Sequence, residues 1–172
     1  KKGIDFGKPK INIDQMRDWK QSVIAKLQGG IAALAKARKV EVVQGNAIFD
    51  SSDTIRIETN KGQTFYTFNQ AIIATGSAPF IPTAMDLGNP RIMTSTEALE
   101  LDDVPKELLV IGGGYIGMEL GSVYSTLGSK VTVVEALDEI LAGADTDICK
   151  VFQKRVEQKL TAIHVSHKVK QL

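Results

Sequence analysis

Between Leu108 and Glu135 the sequence reads LLVIGGGYIGMELGSVYSTLGSKVTVVE. An apolar run meets three consecutive glycines, a helical pattern follows, and a second apolar run ends on an acid. Gly112, Gly114 and Gly117 fill a GxGxxG pattern directly after a predicted strand and at the opening of a predicted helix, the setting that gives the pattern meaning. Each glycine has its own task there. The first permits a tight turn, the second lets backbone approach a pyrophosphate, and the third lets helix pack on strand. The helix beginning near Tyr115 turns its unpaired N–H groups and positive dipole end toward the loop, which favours phosphate charge. Glu135 lies about 20 residues on, where a carboxylate accepts both hydroxyls of an adenosine ribose and disfavours a 2′-phosphate. The competing reading is a strand-turn-helix unit with packing glycines and an exposed terminal acid. The common register of loop, helix and acid favours the nucleotide site.

The surrounding pattern has the same character. Strand Glu107 to Ile111, helix Tyr115 to Leu127, strand Lys130 to Glu135, helix Thr146 to Leu160 and strand Ile163 to Lys168 form a β-α-β-α-β rhythm, half of a doubly wound α/β domain. The chain ends within that rhythm, so its sheet is expected to expose an edge and the isolated chain to be poorly stable or to associate. Upstream, Met16, Trp19, Val23, Leu27, Ile31 and Leu34 recur at helical steps from Asp14 to Arg38, with Asp14 where an N-cap is expected. Gly29 and Gly30 interrupt that stripe and mark a bend, a packing contact or a cofactor contact. KVEVVQGNAIF, TIRIET, QTFYTF and AIIATG then read as strands, the middle two a hairpin around Asn60, Lys61 and Gly62. Pro79, Pro82 and Pro90 fall in a connecting stretch, and TSTEALELDDVP predicts a short helix capped by Thr94 or Ser95.

Composition narrows the function classes. Lysine and arginine number 21 against 20 aspartate and glutamate, which leaves no electrostatic footprint for nucleic acid or an anionic membrane. No apolar run approaches the ~20 residues of a membrane span, and the opening KKGIDFGKPK lacks the apolar core of a signal peptide. The absence of an initial methionine hints at an excised or processed chain. Cys149 is the single cysteine, so the chain holds no internal disulfide or CxxC pair, and a reducing compartment fits best. It is expected to be a buried or half-buried small hydrophobe on an amphipathic helix. His164 and His167, on a predicted strand, would point to opposite faces and share no metal ion; no metal is expected.

VIGGGYIGMELGSVYSTLGSKVTVVE, with AIIATGSAPFIP upstream and ILAGADTDICKVFQKRV downstream, resembles the dihydrolipoamide dehydrogenase family of flavoprotein disulfide oxidoreductases. MRDWKQSVIAKLQGGIAALAKARKVEVVQGNAIF extends the resemblance across nearly the whole chain. It implies a partial Rossmann-like FAD/NAD(P)-binding fold: residues 1–104 as the C-terminal part of the FAD-binding domain, with its long helix, strands and connector, and 105–172 as the first half of the NAD-binding domain. Members of the family are homodimers that oxidise protein-bound dihydrolipoamide with NAD+ through FAD and a redox disulfide. The partner implied is the lipoyl domain of a 2-oxoacid dehydrogenase or glycine cleavage complex, in the bacterial cytoplasm or the mitochondrial matrix.

By the same resemblance Gly112, Gly113, Gly114, Tyr115, Ile116 and Gly117 line the NAD pyrophosphate, Glu135 takes the ribose and Val169 lies beside the adenine. Thr75, Gly76 and Ser77 lie against FAD, and Ala47 offers backbone atoms to the FAD adenine. ATGS by itself reads equally as a strand end and turn. Glu119 matches a carboxylate that pairs with a lysine near flavin and nicotinamide, or is a solvated helical acid. Tyr115 covers the flavin until nicotinamide displaces it, or is a packing residue. The FAD domain's opening glycine loop, the redox cysteine pair and the His-Glu base are not in this sequence, so the chain alone is expected to be inactive. Two alternatives stand beside this reading: a glutathione reductase-like enzyme, against which Glu135 argues because NADPH calls for arginine, and a nucleotide-binding module without catalysis.

Overall fold

The computed structural model describes Gly3, Gly7 and residues 9–172. The opening stretch read above for a leader lies largely outside the described residues. The chain divides into two compact units, Lys1–Arg17 with Ala78–Leu172, and Asp18–Ser77.

The first unit is a parallel sheet with helical crossovers. Strands β4 (Glu107–Ile111), β5 (Lys130–Val134) and β6 (Ala162–His164) lie in that order, joined by helices α3 (Tyr115–Leu127) and α4 (Thr146–Val156). The α/β half-domain read from the sequence is thus present. Val131 and Val133 on the central strand are fully buried, as are Met118 of α3 and Ile140 of the loop after β5. The two valines alternate with exposed Lys130 and half-buried Thr132 and Val134, so one face of the strand carries the core. Tyr124 is buried as well, and its hydroxyl donates to the Ala98 carbonyl at 2.9 Å, which satisfies the polar end of a core side chain. Burial holds the Tyr124 phenol above its ordinary range, with Asp103 and Asp102 adding to the effect. Ala98 belongs to α2 (Ser95–Glu100), which opens on a capping box: the Thr94 hydroxyl accepts from the Thr96 N–H, and Glu97 reaches back to the Thr94 N–H at 2.7 Å.

The second unit is an antiparallel sheet with most of a long helix, α1 (Ile13–Ala37). Strands β1 (Asn46–Phe49), β2 (Thr54–Thr59) and β3 (Gly62–Thr67) lie in sequence order. The predicted hairpin is β2–β3, with Thr59 opposite Gly62. Arg56 on β2 pairs with Asp50 and Glu58, three charges gathered at one place on the sheet.

Several local readings are corrected. Asn12, not Asp14, caps α1, its side-chain oxygen accepting the Gln15 N–H at 3.0 Å; Asp14 lies inside the first turn, where an acid favours the helix dipole. The helix runs unbroken through Gly29 and Gly30, and a Cβ at either would meet nothing within 4 Å, so neither makes a close packing contact among the described residues. KVEVVQGNAIF forms a strand only over Asn46–Phe49, and AIIATG forms none. Ile72 is 95% exposed and has no ladder partner among the described residues; apolar character alone cannot hold a strand whose backbone groups find nothing to pair with. The helix after β5 ends at Val156, and β6 stops at His164.

Candidate functional site

The glycine loop is built by the end of β4. The Gly112 N–H donates to the Val134 carbonyl at 2.8 Å, which carries the parallel ladder one residue past the strand. Gly112 then turns the chain with φ +104°, a conformation open to glycine and strained for other residues. Gly114 is the N-cap of α3, its carbonyl accepting the Met118 N–H at 3.0 Å, and no side chain caps the helix. The first N–H groups of α3 therefore remain available to an oxyanion.

The glycines of the pattern differ in what a side chain would meet there. A Cβ at Gly117 would lie 2.2 Å from the Gly112 oxygen and 3.1 Å from Val110, so this glycine is demanded by the packing of helix on strand. A Cβ at Gly114 would meet nothing within 4 Å, so nothing among the described residues demands this glycine. The space it keeps clear is the approach to the α3 N-terminus. Gly114→Ala should accordingly leave the melting temperature within a degree or two and weaken NADH binding by about tenfold or more, through a methyl placed where a pyrophosphate approaches. Calorimetric melting and NADH titration of the full-length protein check both halves; unchanged affinity would show that no ligand comes close at Gly114.

Glu135 follows directly on β5 and is half-buried. Its Oε2 accepts the Gly113 N–H at 2.6 Å and its Oε1 accepts the Leu137 N–H at 2.8 Å. Its backbone is held too, with its N–H donating to His164 O and its carbonyl accepting the His167 N–H. Each carboxylate oxygen retains a second lone pair for a ligand hydroxyl. The acid is thus brought to the glycine loop at the C-terminal edge of the parallel strands, where ligands of open α/β sheets bind.

The other predicted residues are placed as follows. Gly113 is buried in the loop, and Tyr115 and Ile116 are exposed on the first turn of α3. Glu119 is exposed one turn further along. Val169 is half-buried in the irregular segment beyond β6. Ala47, Thr75, Gly76 and Ser77 all belong to the other compact unit and are exposed. Ala47 sits on β1, an edge strand that keeps one row of backbone groups unpaired, which fits a backbone contact to a ring nitrogen. Thr75 to Ser77 lie in an irregular stretch in which Gly76 has φ +70°.

Cys149 is buried as expected, its thiol 3.8 Å from the carbonyl oxygens of Leu141 and Ala144. The histidine reading is corrected. Because β6 ends at His164 and Ser166 takes a left-handed φ of 57°, the chain bends and brings the rings of His164 and His167 to 5.6 Å. Among the described residues no group of three or more histidine, cysteine or acidic side chains is placed to hold a metal ion, and no helix is long and apolar enough to cross a membrane. The segment EALDEILAGAD, of which the sequence assigns a ligand role only to Glu135 and which otherwise enters through the resemblance of ILAGAD, also matters: the Leu141 N–H donates to Gly113 O at 2.8 Å, and Ile140 packs on Gly113. An apolar Ile-Leu pair set between acids and a glycine directly after the second strand was the available signal.

Fold and loop together define a nucleotide-binding α/β unit, and the chain belongs to the pyridine nucleotide-disulphide oxidoreductase family, whose family model matches residues 2–172. It is 48% identical over 157 residues to the dihydrolipoyl dehydrogenase of Vibrio cholerae, covering 91% of this chain and 33% of that protein. It is 44% identical over 157 residues to the dihydrolipoyl dehydrogenase of Geobacillus stearothermophilus, with the same coverage of 91% and 33%. The chain thus spans about a third of the length of the curated relatives it matches. Among solved structures, the HOCl-induced flavoprotein disulfide reductase RclA from Escherichia coli superposes with a TM-score of 0.78 at 27% identity, over 91% of this chain and 36% of that one. The water-forming NADH oxidase from Lactobacillus brevis bound to NADH gives 0.58 at 25% identity, over 73% of this chain and 30% of that one.

Proposed function

We propose that this chain is the middle segment of a dihydrolipoamide dehydrogenase that holds NAD on the loop Gly112–Gly117 and FAD against Ala47, Thr75, Gly76 and Ser77. Residues 1–104 are then the end of the FAD-binding domain and 105–172 the first half of the NAD-binding domain. The whole enzyme is assigned the oxidation of protein-bound dihydrolipoamide with NAD+ through FAD and a redox disulfide. We assign it a homodimeric form and a lipoyl domain of a 2-oxoacid dehydrogenase or glycine cleavage complex as partner. Its setting is the reducing bacterial cytoplasm or mitochondrial matrix. The name borne by the relatives supports the substrate. The observation that carries the nucleotide half is the Glu135 carboxylate 2.6 Å from the Gly113 N–H, beside the uncapped start of α3.

When bound, flavin and nicotinamide supply the redox chemistry, and the protein's part is binding and orientation. The first N–H groups of α3 take pyrophosphate oxygens, and the free lone pairs of Glu135 take ribose hydroxyls while its charge repels a 2′-phosphate. Tyr115, exposed on the first turn of the helix, would cover the flavin in the absence of nicotinamide, and Glu119 would pair with a lysine near both rings. Val169 is assigned to the NAD adenine. An engineered form of the Lactobacillus brevis oxidase bound to NADPH replaces one aspartate by alanine and introduces two arginines, in line with acid-based exclusion of the phosphate.

Turnover tests this reading. The full-length protein should carry FAD and reduce NAD+ with dihydrolipoamide. A polypeptide of these 172 residues should not reduce lipoamide with NADH, because disulfide exchange needs a thiol pair and a base, and Cys149 is its single, buried cysteine. A full-length protein inert toward dihydrolipoamide but active on another disulfide would overturn the substrate; lipoamide turnover by the 172-residue polypeptide would overturn the division of labour.

A further inference from the structure

Gly113 occupies the position of the glycine pattern that carries no requirement of its own, yet the protein encloses it on several sides. It is buried; its N–H donates to Glu135 Oε2 at 2.6 Å and its carbonyl accepts the Leu141 N–H at 2.8 Å. A Cβ added there would fall 2.8 Å from Ile140 Cγ2, 3.3 Å from Ile140 Cβ and 3.2 Å from Glu135 Cβ. Ile140 has no exposed surface, and its branched Cβ leaves that methyl no easy rotation away. Leu141 is itself held at φ 56°, a conformation unfavourable for a non-glycine residue and sustained only where the surroundings fix it. What fixes it is visible: the Ala144 N–H donates to Leu141 O at 3.0 Å, and the buried Cys149 thiol of α4 lies 3.8 Å from that same oxygen.

We propose that the segment Glu135–Leu141 is a clamp on Gly113 that fixes the glycine loop in its dinucleotide-accepting geometry before any ligand arrives, which makes Ile140 and Leu141 positioning residues for the nucleotide. This rests on the dinucleotide reading above and extends it to residues outside the glycine pattern. A loop of three glycines has more conformational freedom to lose than any other sequence of its length. Ordering it within the folded protein removes that cost from the binding step. Binding then depends on a residue remote from the pattern, because a displacement of the loop by a fraction of an ångström misaims the α3 N–H groups.

The test is a double-mutant cycle in the full-length, FAD-containing protein, read as the Kd for NADH, the FAD content and the melting temperature. Gly113→Ala and Ile140→Ala should each weaken NADH binding by between about tenfold and a hundredfold, with FAD content unchanged. Gly113→Ala combined with Ile140→Ala should bind NADH more tightly than Gly113→Ala alone, because the alanine at 140 lacks the Cγ2 that the new methyl meets. Gly113→Ala combined with Ile140→Val keeps that Cγ2 and should show no rescue. A merely structural Ile140 would lower the melting temperature while the two binding penalties multiply, and multiplication overturns the clamp. If Ile140→Ala loses FAD or fails to fold, amide exchange of the wild type decides: the Gly113 N–H should be strongly protected without nucleotide, and unprotected exchange overturns the proposal. Failure of the wild type to bind NADH at all is a different result, and removes the dinucleotide reading itself.

Discussion

Gly117→Ala should cost the full-length protein both the packing of its parallel-sheet unit and its nucleotide affinity. The added methyl would stand 2.2 Å from the Gly112 carbonyl oxygen, far inside contact distance, and the obstacle is backbone that cannot rotate aside. Relief requires α3 to move off β4. That movement disturbs Met118 and Tyr124, both essentially without exposed surface, and the Tyr124 hydrogen bond to Ala98. Overpacking of this kind costs about 1–3 kcal/mol and more where backbone must shift, which lowers melting by several degrees. The same displacement drags the start of α3 away from Gly112 and Glu135, so NADH affinity falls with stability. Gly114→Ala is the internal control, since it should lose affinity alone. Differential scanning calorimetry and NADH titration on the two variants separate them, and a Gly117→Ala protein with wild-type melting would show that helix and strand do not pack as described.

The contrast between these glycines shows what the sequence could disclose. Strand β4 and helix α3 were legible residue by residue, with Glu107–Ile111 and Tyr115–Leu127 observed as read, while β5 ends at Val134, one residue before the predicted Glu135. Local pattern and tertiary role agree there, because apolar runs on either side of a glycine turn and a helix packed through glycine leave strong marks. AIIATG was misread for the complementary reason: apolar character marks a segment that wants burial, but a strand also needs a neighbour to bond with, which no single stretch reveals. His164 and His167 were placed on opposite faces by strand periodicity, which fails once Ser166 adopts a left-handed turn. For Gly113 the resemblance implies only a place along the NAD pyrophosphate. Its tight enclosure depends on Ile140 and Leu141, far along the chain, and so became visible only in three dimensions.

Glu135→Arg in the full-length protein should reverse the preference between NADH and NADPH. In the wild type the carboxylate sits at the end of β5 with one lone pair on each oxygen directed to backbone N–H groups and another free. Two ribose hydroxyls would complete its bonding, whereas a 2′-phosphate would bring like charges together in a partly desolvated cleft. Hydrogen bonds to a charged group contribute about 1.5–3 kcal/mol, so wild-type preference for NADH should be on the order of tenfold to a hundredfold or more. Arginine reverses the charge and also cannot accept the Gly113 and Leu137 N–H groups, so NADH efficiency should fall by at least that factor while NADPH efficiency rises. Glu135→Gln separates the two contributions: it removes the charge but keeps one acceptor oxygen, and should weaken discrimination with a smaller loss of NADH binding. FAD content should not change in either variant, because the residues assigned to the flavin belong to the other compact unit. The measurement is kcat/KM for both nucleotides in wild type and variants. Equal wild-type efficiency with the two nucleotides would remove Glu135 from specificity, and loss of FAD on substitution would show that its hydrogen bonds to Gly113 and Leu137 serve folding instead.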